Sequence, residues 1–144
     1  MEQTYTTMEI EQLYGIPRAR SKEWISRKYI SPSYQTASGR GTRHLFTRND
    51  LYVIVLYQKI LELGISREMA GSFVQWFFFE YGDYTSMIEK DLRYLVITKV
   101  APSGEEPEIH PQLLKEIPKD IPITFEYILA INLENIKENV DIKL

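Results

Sequence analysis

The stretch that most constrains this chain is Gly15 to Asp50, GIPRARSKEWISRKYISPSYQTASGRGTRHLFTRND. It holds eight cations, Arg18, Arg20, Lys22, Arg27, Lys28, Arg40, Arg43 and Arg48, against only Glu23 and Asp50. That is a local charge of +6 inside a chain whose total is −3, so the remaining residues carry −9. Charge alone fits either a phosphate-binding surface or a solvated basic face. The spacing says more. Pro17, with φ preset and no N–H to donate, suits the first turn of a helix through Arg18 to Lys28. Ile16, Ala19, Trp24 and Ile25 are predicted to face inward, which leaves Arg18, Arg20, Lys22 and Arg27 outward. Ser31 and Pro32 stop that helix. Ser38, Gly39, Arg40, Gly41 and Thr42 then form a tip between two strand-like pieces, Tyr34 to Thr36 and Arg43 to Phe46, and Thr47 with Asp50 makes a capping box for the next helix.

Helix, basic glycine-tipped hairpin, capped helix is a winged helix-turn-helix pattern. The residues Thr6, Thr7, Glu9, Leu13, Gly15, Ile16, Trp24, Ile30, Pro32, Gly39, Arg40, Gly41, Arg43, Leu45, Phe46, Thr47, Asp50, Leu51, Leu63, Gly64 and Ile65 follow one another in a characteristic order. In that order and spacing the chain resembles the MerR-type winged-helix regulators over about its first seventy residues. Its nearest form is the variant with a tryptophan in the second helix and a wing rich in glycine and arginine. Where that helix more usually reads Leu-Arg-Tyr-Tyr, this chain has Ser21, Lys22, Glu23 and Trp24, and it has no cysteine. The resemblance therefore implies the DNA-binding fold and a homodimer on a two-fold site, and not the family's metal chemistry.

The flanking residues divide the chain in two. Thr6 with Glu9 is a second capping box, opening a short helix of Met8, Ile10, Leu13 and Tyr14 that Gly15 ends. Thr7 is a further candidate for a phosphate contact beside its capping role. From Asn49 to Leu63 the sequence is apolar around most of a helix, Gly64 closes it, and Ser66 starts another helix to about Glu80. Met69, Ala70, Phe73, Val74, Phe77 and Phe78 repeat there at helical spacing, with Gln75, Trp76 and Phe79 on a second side. After Gly82 and Asp83 comes a short turn or helical piece at Thr85 to Asp91. Tyr94 to Ala101 reads as a strand. Five of the seven prolines fall between Pro102 and Pro122, a polar excursion holding Glu105, Glu106 and Glu108 and one turn of helix at Pro111 to Glu116. Ile123 to Ile131 alternates as a second strand, and Asn132 caps a last helix lined by Leu133, Ile136, Val140 and Leu144. The expected fold is mainly α with small β parts. Residues 1–80 make a winged helix-turn-helix with a helical hairpin, and residues 81–144 a small strand-strand-helix unit.

These residues point away from catalysis. The two histidines, His44 in the wing and His110 in the proline-rich loop, have no cluster suited to nucleophilic or metal chemistry, and no phosphate-binding glycine loop or hydrolase motif occurs. No enzyme activity, cofactor or metal is expected. Zero cysteines and the lack of an apolar stretch of about 18 residues fit a cytoplasmic protein that neither enters a membrane nor is exported. The expected function is a transcriptional regulator that binds double-stranded DNA as a homodimer. Arg18, Arg20 and Lys22 face the major groove, with Arg18 and Arg20 the better base readers, near the N-terminal end of their helix. Arg27, Lys28, Arg40 and Arg43 meet phosphates or the minor groove, and His44 makes a groove or backbone contact. Two alternatives use the same residues: a winged-helix adaptor whose basic face holds an acidic protein, and a sensor in which the aromatic helix and C-terminal unit bind a small-molecule effector.

Overall fold

The computed structural model describes residues 3–39, 41–101, 106 and 108–144; Arg40, Pro102 and Glu105, named above, lie outside them. Among the described residues the fold is mixed, with six helices dominating one three-stranded antiparallel sheet. Its elements are α1 (Thr7–Tyr14), α2 (Arg18–Ser26), α3 (Arg48–Glu62), α4 (Arg67–Tyr81), α5 (Tyr84–Glu89), β1 (Tyr94–Val100), β2 (Glu108–Leu114), β3 (Phe125–Asn132) and α6 (Leu133–Asp141). They fall into two compact units, Met1–Tyr84 with Ile136–Leu144, and Thr85–Asn135.

In the first unit the helix starts follow from local hydrogen bonding. Both capping boxes form: Thr6 Oγ1 accepts from the Glu9 N–H at 3.2 Å, Thr47 Oγ1 accepts from the Asp50 N–H at 3.2 Å, and each carboxylate reaches back to its cap. Each box satisfies two N–H groups that a helix start leaves without partners. Gly15, at φ 71°, closes α1. Tyr5 and Phe46 exchange backbone bonds at 2.9 and 2.8 Å, and Gln35 pairs with Leu45, so the hairpin pieces meet at single bridges.

α2 buries less than expected. Ser21 and Trp24 are its buried residues, flanked by Ile16 and Ile30, while Ala19 is exposed. The helix is turned so that the small Ser21 side chain lets it approach the core, and Trp24 fills the remaining space against Tyr57, ring centroids 4.7 Å apart. Its end is a Schellman turn: the Tyr29 N–H reaches the Trp24 carbonyl at 2.9 Å and the Lys28 N–H the Ile25 carbonyl at 3.0 Å. Lys28 occupies the left-handed position, φ 64°, where a Cβ is unfavourable. Lys28→Gly is expected to raise stability by about 0.5–1 kcal/mol, read as a higher urea midpoint at unchanged slope.

α3 and α4 supply the core, with Leu51, Ile54, Leu56, Tyr57, Ile60, Ala70, Val74 and Phe77 buried. Gly71 permits their close fit to the turn after α2: a Cβ built there would stand 2.6 Å from Tyr29 Cδ1. Phe73 and Phe77 face this core, whereas Phe79 is 89% exposed.

The end of α6 is fastened by polar groups. Asp141 accepts from Arg48 Nη2 at 2.9 Å, the Tyr52 hydroxyl at 2.6 Å and Lys137 Nζ at 2.7 Å, and the Tyr14 hydroxyl donates to the Val140 carbonyl at 3.0 Å. Burial pushes the Asp141 carboxyl up, but the bonds from Lys137, Tyr52 and Arg48 outweigh it and hold the pKa below the usual value. A carboxyl held low in the folded state stabilises fully above its unfolded pKa and loses that contribution as pH falls through the folded one. Asp141→Asn should therefore cost about 1–2 kcal/mol at pH 7 and progressively less between about pH 5 and 2, measured as paired denaturation curves.

The second unit has strand order β2-β1-β3, with Leu95, Val96 and Ile97 of β1 buried. Here one expectation fails. Glu108–Leu114 is a strand, paired with β1 from Tyr94↔Leu114 to Val100↔Glu108, and not a loop with a helical turn at Pro111. Pro111 is tolerated because β2 is an edge strand, where a missing N–H need not break a ladder. The described residues of this unit therefore form three strands in place of the expected two. β3 starts at Phe125, leaving Ile123 fully exposed ahead of it. Asn132 caps α6 as expected, its Oδ1 accepting from the Asn135 N–H at 3.1 Å.

Candidate nucleic-acid interface

Four of the eight candidate residues, Arg18, Lys22, Arg43 and His44, line one cleft of about 460 Å³ in the first unit, together with Thr6, Thr7, Met8, Ala37 and Thr42. Three pieces of backbone bring them together: the start of α1, one face of α2 and the loop after Tyr34. Residues four apart on a helix are neighbours, so Arg18 and Lys22 stack on one side of α2. The Arg18 N–H donates to Glu11 Oε2 at 2.8 Å and its Nε lies 3.7 Å from Glu11 Oε1, which tethers the first turn of α2 to α1. Lys22 and Arg43 make no ion pair among the described residues.

The loop is held by its own side chains. Thr42 Oγ1 accepts from the Ser38 N–H and donates to the Gly39 carbonyl, both at 2.8 Å, closing a tip in which Gly39 and Gly41 take φ of 145° and 87°. Those angles suit glycine and strain other residues. Gln35 Nε2 donates to the Arg43 carbonyl at 2.8 Å. The Ala37 N–H donates to His44 Nδ1 at 3.1 Å, so a neutral His44 carries its proton on Nε2, the nitrogen left for an outside acceptor. His44 is thus a strut of the loop as well as a wall of the cleft. The sequence expectations give Thr42 no organising role beyond its place at the tip, although a hydroxyl beside two glycines at a turn is the signal for one.

The N-terminus of α1 also borders the cleft, with the Glu9 carboxylate bound to the Thr6 N–H and hydroxyl and offsetting part of the helix-start charge. Thr6 is its cap, and Thr7 and Met8 occupy the first turn, where backbone N–H groups lack helical partners and the helix dipole favours anions. The cleft therefore combines three long cations, threonine hydroxyls, an imidazole and the start of a helix.

The other candidates lie elsewhere. Arg20 stands about 200° around α2 from Arg18 and lines a different groove, with Glu23, Glu62 and Arg67. Arg27 pairs with Glu23 at 3.2 Å, and Glu23 also takes Arg67 at 2.9 Å, so both cations have an acidic partner. Lys28 sits on the turn beyond α2, with its carbonyl accepting from Gln75 Nε2. Arg40 falls outside the described residues. Of the remaining groups, His110 Nε2 lies 3.0 Å from Glu108 Oε2 on the exposed side of β2. Among the described residues no cluster of three or more histidine or acidic side chains could hold a metal ion, and no helix is long and apolar enough to cross a membrane. Compared with protein-family models and with curated proteins, the chain matches none.

Proposed function

We propose that this chain is a DNA-binding transcriptional regulator of the MerR-like winged helix-turn-helix type, acting in the cytoplasm. In this reading α2 enters the major groove and the Ser38–Arg43 loop serves as the wing. The observation that carries it is the cleft in which Arg18, Lys22 and Arg43 converge with the α1 N-terminus and two loop side chains. Long cations beside the N–H groups of a helix start, two of them without an acidic partner among the described residues, suit phosphate oxygens in charge and reach. One such unit covers a half-site, so the working form is a homodimer on a two-fold operator. Of the α4 rings, Phe73 and Phe77 are buried within their own unit, while Phe79 is exposed.

This arrangement also ranks the arginines. With Arg18 and Lys22 turned to the cleft, Arg20 faces Glu23 and Glu62 and is a weaker candidate for reading bases than its position near the helix start implies. Fluorescence anisotropy with labelled random duplexes at low salt tests the proposal. Arg43→Ala should weaken binding to all sequences alike and reduce the salt slope by about one unit, as loss of one phosphate contact does. Arg20→Ala should leave that slope unchanged. If Arg20→Ala has the larger effect, the binding face is the Glu23 groove; if poly-glutamate binds as tightly as DNA at equal charge, the adaptor reading replaces this one.

A further inference from the structure

The first unit contains a second recess, of about 300 Å³, between the turn that follows α2, the start of α3 and the far end of α4. Its walls are mostly apolar: Tyr29, Val53, Val74, Phe78 and Phe79. Phe79 stands at 89% exposure on its rim, an aromatic ring that the fold itself does not bury. The size is at the lower end of small-ligand sites, and an apolar lining with a few polar groups is their usual composition.

The polar groups are one-sided. Asp50, 2% exposed, forms part of the wall. Its carboxylate accepts from the Thr47 N–H at 2.9 Å, the Ser33 N–H at 2.8 Å and the Ser33 hydroxyl. A carboxylate has about four lone-pair positions, so these donors leave one. No lysine, arginine or histidine pairs with Asp50 among the described residues. Gln75, also in the wall, donates Nε2 to the Lys28 carbonyl, which leaves its amide oxygen as a further acceptor. A buried carboxylate normally has a cation beside it, and aromatic faces attract cations as well.

We propose that this recess is a binding site for a small organic cation with a flat apolar body, of the amidinium or aryl-ammonium class. The charged head would donate to Asp50 and Gln75 while its ring lies against Phe78, Phe79 and Tyr29. An anion is excluded by Asp50, and a neutral aromatic would leave the acceptors unmatched. The assignment rests on this geometry alone and is independent of DNA binding. Of the aromatic residues of α4, Phe73 and Phe77 are buried in the core and the recess uses Phe78 and Phe79.

Three probes of one shape and different charge test it: benzamidinium, benzamide and benzoate, titrated into the full chain and followed by NMR of valine and isoleucine methyl groups. Benzamidinium should saturate with a dissociation constant on the order of 1 mM, shifting Val53, Ile54 and Val74, and should bind at least about tenfold tighter than benzamide. Benzoate should not bind. Asp50→Asn keeps a capping oxygen and removes the charge, so it should erase the preference of benzamidinium over benzamide. Should that variant fail to fold, Phe79→Ala, at an exposed position, should weaken benzamidinium about threefold or more. The proposal is overturned by no saturable benzamidinium binding, by equal affinity for the three probes, by shifts confined to other residues, or by unchanged affinity in Phe79→Ala.

Discussion

Trp24→Ala is expected to destabilise the first unit by about 3–5 kcal/mol, well beyond the loss of Asp141 or of any surface cation. The ring is 1% exposed and packs edge-on against Tyr57, ring planes at 68°. The other contacts of α2 are weaker: Ser21 is its second buried residue, Ile25 is half-buried, and the ties from Arg18 to Glu11 and from Glu23 to Arg67 are exposed. Ile16 and Ile30 anchor the chain before and after the helix but not its body. A cavity of indole size at that point cannot be refilled by the neighbouring serine, so much of the transfer and packing energy is lost. Against a typical total of about 5–15 kcal/mol, the variant is marginal. Urea unfolding followed by circular dichroism checks this, and a loss below about 1 kcal/mol would mean that α2 is held by something other than its tryptophan. Trp24→Phe should recover part of the loss.

The largest functional effect is expected from reversing charge in the cleft. Lys22→Glu with Arg43→Glu replaces two cations that have no acidic partner among the described residues, from two different chain segments facing the same space. Each reversal removes a phosphate contact and introduces repulsion, so affinity for any duplex should fall by about a hundredfold or more at low salt. Both side chains are exposed, so folding should be unaffected. A circular dichroism melt alongside the binding titration separates the two. The same pair of changes at Arg20 and Arg27, which face Glu23 and its neighbours, should have a much smaller effect. Equal losses from both pairs would indicate general electrostatics and not a located site.

The parts of this fold that are legible in the sequence are those set by bonds between near neighbours. Thr6 with Glu9 and Thr47 with Asp50 announce helix starts because cap and third residue satisfy each other whatever the rest of the chain does. Gly15 and Gly64 mark helix ends through their positive φ. β2 is hidden because Pro111 argues against a strand, although Ile109, Pro111 and Leu113 alternate with Glu108, His110 and Gln112 as an edge strand does. Pairing with β1 is a long-range event that local preference does not record.

The candidate site is legible in its residues and not in its orientation. Arg18 and Lys22 share a face by spacing alone, and Arg20 does not. Which face turns to the loop depends on Ser21, a small side chain that goes inside in place of Ala19. Periodicity ranks apolar residues inward and so misplaces both. The organic-cation recess depends on where Asp50 sits relative to α4, a tertiary relation with no local signature.

The most direct test of the central reading is the salt dependence of binding to a random-sequence duplex. Titrations from about 50 to 200 mM salt, plotted as the logarithm of the association constant, should fall with a slope of about −3 per subunit if Arg18, Lys22 and Arg43 each displace a phosphate counterion. The Lys22→Glu, Arg43→Glu variant should flatten that slope to about −1 or lose binding altogether. No binding at about 50 mM salt, or a slope unchanged in that variant, would contradict the assignment of this cleft to DNA.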